Sequence, residues 1–111
     1  MKTKILSAVL IAVLLLCGCG KSVTSLENTV WKNGDDVTVY FYPQGEGKIN
    51  VDGIELGFTY TLEDDILTAT CTDESLAEYY GLANLPFFGT NSVEADDGYM
   101  YVGAWELKEI N

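Results

Sequence analysis

From Asn28 onward the apolar residues recur at every second position. A strand with one buried face imposes that spacing; an amphipathic helix, with its spacing of three and four, does not. Val37, Val39 and Phe41 fall on one face, and Thr38, Tyr40 and Tyr42 on the other. Ile54, Leu56, Phe58, Tyr60 and Leu62 alternate with Glu55, Gly57, Thr59 and Thr61. Leu67, Ala69 and Cys71 then alternate with Ile66, Thr68, Thr70 and Thr72. Near the end, Met100 and Val102 alternate with Tyr99 and Tyr101, and Trp105 and Leu107 with Glu106 and Lys108. β-Branched and aromatic side chains fill these runs, as a pleated surface favours.

The links between runs are short. Pro43-Gln44-Gly45-Glu46-Gly47 suits a loop, and Asp52-Gly53 suits a type I′ hairpin, in which both central residues take positive φ. Glu63-Asp64-Asp65 and Asp96-Asp97-Gly98 punctuate two more hairpins. Links this short join antiparallel neighbours only. The expected fold is therefore all-β: a small antiparallel meander of roughly six or seven strands, curled into a barrel or sandwich.

One segment departs from the alternation. Asp73 to Gly81 reads as a short helix, with Asp73 or Ser75 as cap, a capping box in Ser75-x-x-Glu78, and Leu76, Tyr79 and Tyr80 on one face. Leu82 to Phe88 is apolar but irregular and reads as a covering loop. It either plugs an open end of the barrel or displays Phe87 and Phe88 as a lid or docking surface. The second reading makes those two residues the candidate partner-binding positions.

Charge excludes whole classes of function. The chain carries 6 basic residues against 17 acidic ones, and its net charge is −11. A nucleic-acid binder needs the opposite balance to displace counterions from phosphate. There is no histidine, which removes Ser-His and Cys-His nucleophiles and the commonest metal ligand. Lys21, Lys32, Lys48 and Lys108 are scattered, so no lysine stands out as a base. Paired carboxylates could perform hydrolysis only in a cleft that holds them in distinct environments. We therefore expect no enzyme and no cofactor. Asp35-Asp36, Glu63-Asp64-Asp65 and Asp96-Asp97-Gly98 offer hard oxygen ligands of the kind calcium takes, but none follows the EF-hand register. Carboxylates in turns serve solvation and turn geometry, and no metal residues are assigned.

The N-terminal segment is an address. Lys2 and Lys4 precede the apolar run Ile5 to Leu16, interrupted only by Ser7. A charged head before an apolar core is the layout of a secretory signal. As a helix, the run would span about 18 Å, well short of the ~30 Å hydrocarbon layer. Leu16-Cys17-Gly18-Cys19 resembles the bacterial lipobox, in which a leucine and a small residue precede an acylated cysteine. The resemblance implies a cut after Gly18 and acylation of Cys19. Cys17, preceded by bulky Leu16, fits less well. The rival reading is a plain secretory cut after Gly18 or Gly20. Two or more acyl chains hold stably where one holds reversibly. The resulting division is a signal peptide at 1–18, a lipidated start and tether at 19–27, and a β-domain at 28–111. Cys71 is left as a free thiol, either buried and inert or exposed and reactive.

Leu26-x-x-Thr29-x-Trp31 near the start of the domain, with Trp105-x-Leu107 in its last strand, resembles the small lipocalin-like lipoproteins of bacteria. The resemblance implies a meander that curls into a barrel and a place in the bacterial envelope, facing outside the cytoplasm. It implies no particular activity. Thr29 stands where that family usually has the glycine that lets the first strand bend, which weighs against full closure. Trp31, Phe41, Phe58, Tyr60 and Trp105 together would fill a small barrel, so the interior is expected to be packed. The expected function is a binding or interaction module, held to the membrane by acyl chains. Its partner is a protein or a small ligand. The alternative is an envelope protein that binds a small molecule or calcium. An unclosed seam would also offer edge strands, with Tyr40, Tyr42, Tyr99 and Tyr101 facing outward.

Overall fold

Left-handed turns set the topology. Asp52 (φ 55°) and Gly53 (φ 90°), Asp64 (52°) and Asp65 (63°), and Asp97 (51°) and Gly98 (85°) each hold two successive residues at positive φ. That conformation matches the twist of the strands it joins, and aspartate and glycine tolerate it. In the computed structural model, which describes residues 23–110, these turns and their neighbours link eight strands. They are β1 (Thr29–Asn33), β2 (Val37–Tyr42), β3 (Glu46–Val51), β4 (Ile54–Glu63), β5 (Ile66–Cys71), β6 (Gly89–Asp96), β7 (Tyr99–Val102) and β8 (Trp105–Ile110). Helix α1 (Glu74–Tyr79) lies between β5 and β6. Each strand pairs antiparallel with the next, and β8 returns to β1, so the sheet is a closed barrel.

The count exceeds the expected six or seven because two strands hide their pattern. In β3 an inward position is Gly47, which contributes no apolar signal. In β6 only Val93 is buried. Gly47 is glycine for want of space: a Cβ there would lie 2.4 Å from Cζ of Phe58 and 2.6 Å from the carbonyl oxygen of Tyr40. The link between β2 and β3 is also shorter than expected. Its turn is Pro43–Gly45, and Glu46 and Gly47 already belong to β3.

Closure does not need glycine at position 29. The left-handed residue is Asn28 (φ 62°), one place earlier, and asparagine is among the few residues that adopt this conformation readily. Thr29 stabilises the corner instead. Its hydroxyl donates to the carbonyl of Leu26 (2.5 Å) and accepts from Nε1 of Trp31 (2.8 Å). The seam then closes through Val30–Ile110, Trp31–Glu109 and Lys32–Lys108. Asn33 extends it by donating from Nδ2 to the carbonyl of Glu106 (2.8 Å). A partner strand therefore finds no open seam here, contrary to the edge-strand expectation.

The inward residues follow the alternation. Val39, Ile49, Leu56, Leu67, Met100, Val102 and Leu107 are fully buried, and the rings of Phe41, Phe58 and Tyr60 pack with centroids 5.0 to 6.1 Å apart. Leu26 is also buried in this core. Leu26 thus packs with the core two residues ahead of position 28, where the β-domain was expected to begin. The backbone N–H of Val23 is already held by Oδ1 of Asp65 (2.9 Å). The expected signal segment 1–18, with Cys17, and the expected acylation site Cys19 lie outside the described residues.

Candidate functional site

In an up-and-down barrel the links alternate between the two ends. The turns at 43–45, 64–65 and 97–98 share one end with the start of β1. The links at 34–36, 52–53, 72–88 and 103–104 share the other. Among these, 72–88 alone is long, and long connections on a rigid scaffold are where binding function concentrates.

The connection leaves β5 under tight control. The N–H of Thr72 donates to the carbonyl of Gly57 (2.9 Å), and the N–H of Gly57 donates to Oδ2 of Asp73 (2.7 Å). Asp73 occupies the cap position of α1, but its carboxylate is turned to β4 and makes no cap bond. Ser75 thus falls inside the helix, and the expected capping box does not form. Ala77 is the buried residue of α1, pressed onto the barrel mouth. A helix this short can seat only one side, and the small side chain gives the closest approach. The face of Leu76, Tyr79 and Tyr80 is consequently turned outward, with exposures of 40%, 80% and 47%.

Phe87 is not displayed. It is fully buried, with its ring centred 6.0 Å from Phe41, 5.0 Å from Phe58 and 6.1 Å from Trp105. The covering loop is therefore the plug of the two readings, and Phe87 drops out as a direct partner-binding residue. Phe88 is half-buried, 5.8 Å from Phe87, and its outer side lines a groove.

That groove, of about 350 Å³, lies between the end of β5, α1 and the start of β6. Ala69, Cys71, Ala77, Ala83 and Phe88 give it an apolar lining, and Glu74 and Glu78 stand at its lip. These two carboxylates, four residues apart, fall on one flank of α1. The sequence carried that spacing, but nothing in it said that the flank would border a cavity. Pairing between β5 and β6 ends at Ala69–Gly89, so the last residues of β5 border the groove without a β6 neighbour.

Cys71 faces this space, half-buried. Burial pushes its thiol above the ordinary range. The backbone N–H of Asp73 pulls it back in part, and the charges of Asp73 and Glu74 push it further up. A thiol held in its neutral form is a poor nucleophile near neutral pH.

The other sequence candidates are dispersed. Asp65 is engaged by Val23, and among the described residues no three His, Cys, Asp or Glu side chains gather to hold a metal ion. Tyr40 and Tyr42 stack at 6.2 Å along β2. Tyr101 donates to Oε2 of Glu106 (3.1 Å), which raises its pKa. Tyr60 donates to the carbonyl of Tyr42 (3.0 Å), and burial, with the charge of Glu27, raises its pKa. No helix among the described residues is long and apolar enough to cross a membrane. Comparison with family models, curated proteins and solved structures gives no match. Fold and site together define a class: a closed eight-stranded, lipocalin-like antiparallel barrel, with a helix-bearing connection over one mouth.

Proposed function

We propose that the protein is a bacterial lipoprotein, acylated at Cys19 and held on the outer side of a membrane, whose barrel binds a partner on its surface and performs no chemistry of its own. The observation that carries this reading is the order of three features. A lysine-headed apolar run ends in Leu16-Cys17-Gly18-Cys19, and Leu26, the first buried core residue among those described, follows within a few positions. A signal, an acylation site and a folded domain in direct succession are the economy of a tethered module. The packed rings of Phe41, Phe58, Tyr60 and Phe87 support surface binding over carriage of an apolar ligand, because they occupy the space that such a ligand would need.

Two measurements test this. Cells expressing the full chain are fed an alkyne-bearing fatty acid and fractionated. Label and membrane retention are expected for the native chain and for Cys17→Ser, and both are expected to vanish for Cys19→Ser. Loss in Cys17→Ser alone, or an unlabelled native chain, would overturn the anchor. An apolar fluorophore is expected to remain dim when added to the purified protein; stoichiometric brightening would favour a carrier instead.

A further inference from the structure

We propose that the groove between β5 and α1 receives an extended, basic segment of a partner protein, with a lysine or arginine side chain seated between the apolar floor and Glu74 and Glu78. This rests on the reading of the barrel as an interaction module and names the chemistry of its partner. Three observations converge on the groove. Its floor of Cys71, Ala77 and Phe88 suits an aliphatic stem, and its rim of Glu74 and Glu78 suits the cationic head of the same side chain. Lysine and arginine are the side chains built in that order.

The strand beside it has backbone to offer. Thr72 gives its N–H to β4, and backbone groups alternate sides along a strand, so those of Cys71 point away from β4. Beyond Ala69–Gly89 no residue of β6 pairs with β5 on that side. An extended segment can therefore take a backbone hydrogen bond there as well as a side-chain pocket, the usual division of labour in strand-addition binding.

Charge completes the argument. The chain carries a net −11, and Asp73, Glu74 and Glu78 all lie exposed within one short stretch of this connection. Lys32 faces Asp35 and Lys48 faces Glu55, both away from the groove. Among the described residues, no basic side chain lines it. The volume, about 350 Å³, sits at the low end of the ~300–1,000 Å³ range of ligand sites. One long side chain with its flanking backbone fills such a space.

The test uses the membrane-processed protein in detergent and a fluorescein-labelled peptide of alternating lysine and valine. Binding is read by anisotropy, and alkylation of Cys71 is read by peptide mass spectrometry. Saturating peptide is expected to slow Cys71 alkylation severalfold. Glu74→Gln with Glu78→Gln is expected to weaken binding tenfold or more. Asp96→Asn with Asp97→Asn, which removes the same charge at the opposite end, is expected to change it less than twofold. Equal losses in the two double variants would reduce the effect to bulk charge and overturn the proposal. So would equal affinity for a peptide with glutamate in place of lysine, absence of binding, or binding that leaves Cys71 unprotected. None of these outcomes touches the anchor, which the acylation experiment decides separately.

Discussion

Phe87→Ala is the substitution that most directly tests how the barrel is closed at its helix-bearing mouth. The ring is wholly buried and lies against Phe41, Phe58, Phe88 and Trp105, with the nearest centroid at 5.0 Å in an edge-on arrangement with Phe58. Truncating a buried phenylalanine costs about 3–5 kcal/mol, the lost transfer energy plus the cavity left behind. A domain of this length has about 4–13 kcal/mol of stability in total, so the change consumes a large share of it. The melting temperature should fall by roughly 12–40 °C. Phe88→Ala, which removes a half-buried ring on the groove side, should cost only about 1 kcal/mol. Phe87→Leu keeps much of the apolar volume and should cost about 1–2 kcal/mol, providing a folded variant if the alanine form does not fold. Urea unfolding followed by tryptophan fluorescence suits the measurement, because Trp105 lies 6.1 Å from Phe87. If the two alanine variants lose the same stability, the loop at 82–88 is not a plug and the packed-mouth argument fails.

Gly47→Ala should destabilise the barrel by about 1–3 kcal/mol through overpacking. Adding Phe58→Leu should recover only part of that in the same unfolding assay, because the backbone oxygen of Tyr40 at 2.6 Å remains in the way. Leu26→Ala should cost about 2–5 kcal/mol in a thermal melt; an unchanged melt would contradict its burial in the core. The Cys71 thiol is held above the ~8.5 of a free cysteine, so its alkylation rate should reach half-maximum at a pH above that value. Glu74→Gln should move the half-point down, and a native half-point at or below 8.5 would contradict the burial assigned to it. The sign for stability follows from the folded state favouring the protonated thiol. Its contribution is present below the unfolded-state pKa and declines as pH rises through and above it.

Alternation made β2, β4, β5, β7 and β8 legible because each places apolar side chains on successive inward positions. The same rule is silent where packing is achieved by absence, as at Gly47, whose inward position is filled by the ring of Phe58 from the neighbouring strand. Turn chemistry was legible at Asp52-Gly53 and Asp97-Gly98 because left-handed backbone restricts residue choice. The bend before β1 was not, since asparagine at 28 performs what the resemblance assigned to a glycine at 29. In the 72–88 connection, the sequence told a helix from a loop but not which side of the helix meets the barrel. Leu76, Tyr79 and Tyr80 are the more apolar face, yet Ala77 makes the contact, because closeness of approach outweighs area over so short an element. The groove depends on that choice, and so it was invisible until the helix was placed.

Parity ties these local facts to presentation. An antiparallel meander with an even number of strands brings both chain ends to the same mouth, and here Val23 is held by Asp65 and Gln44 by Glu27 at that mouth. The connection carrying α1 follows an odd-numbered strand and must lie at the other mouth. An anchor at Cys19, as proposed, therefore fixes which end faces the lipid without any contact between domain and bilayer. The near end carries Asp64, Asp65, Asp96 and Asp97, which anionic headgroups repel within a Debye length of about 8 Å. With Cys19 acylated as proposed, that repulsion would act on the acidic end while the anchor restrains it, and the groove at the far mouth would be held outward, where a basic partner segment can reach it.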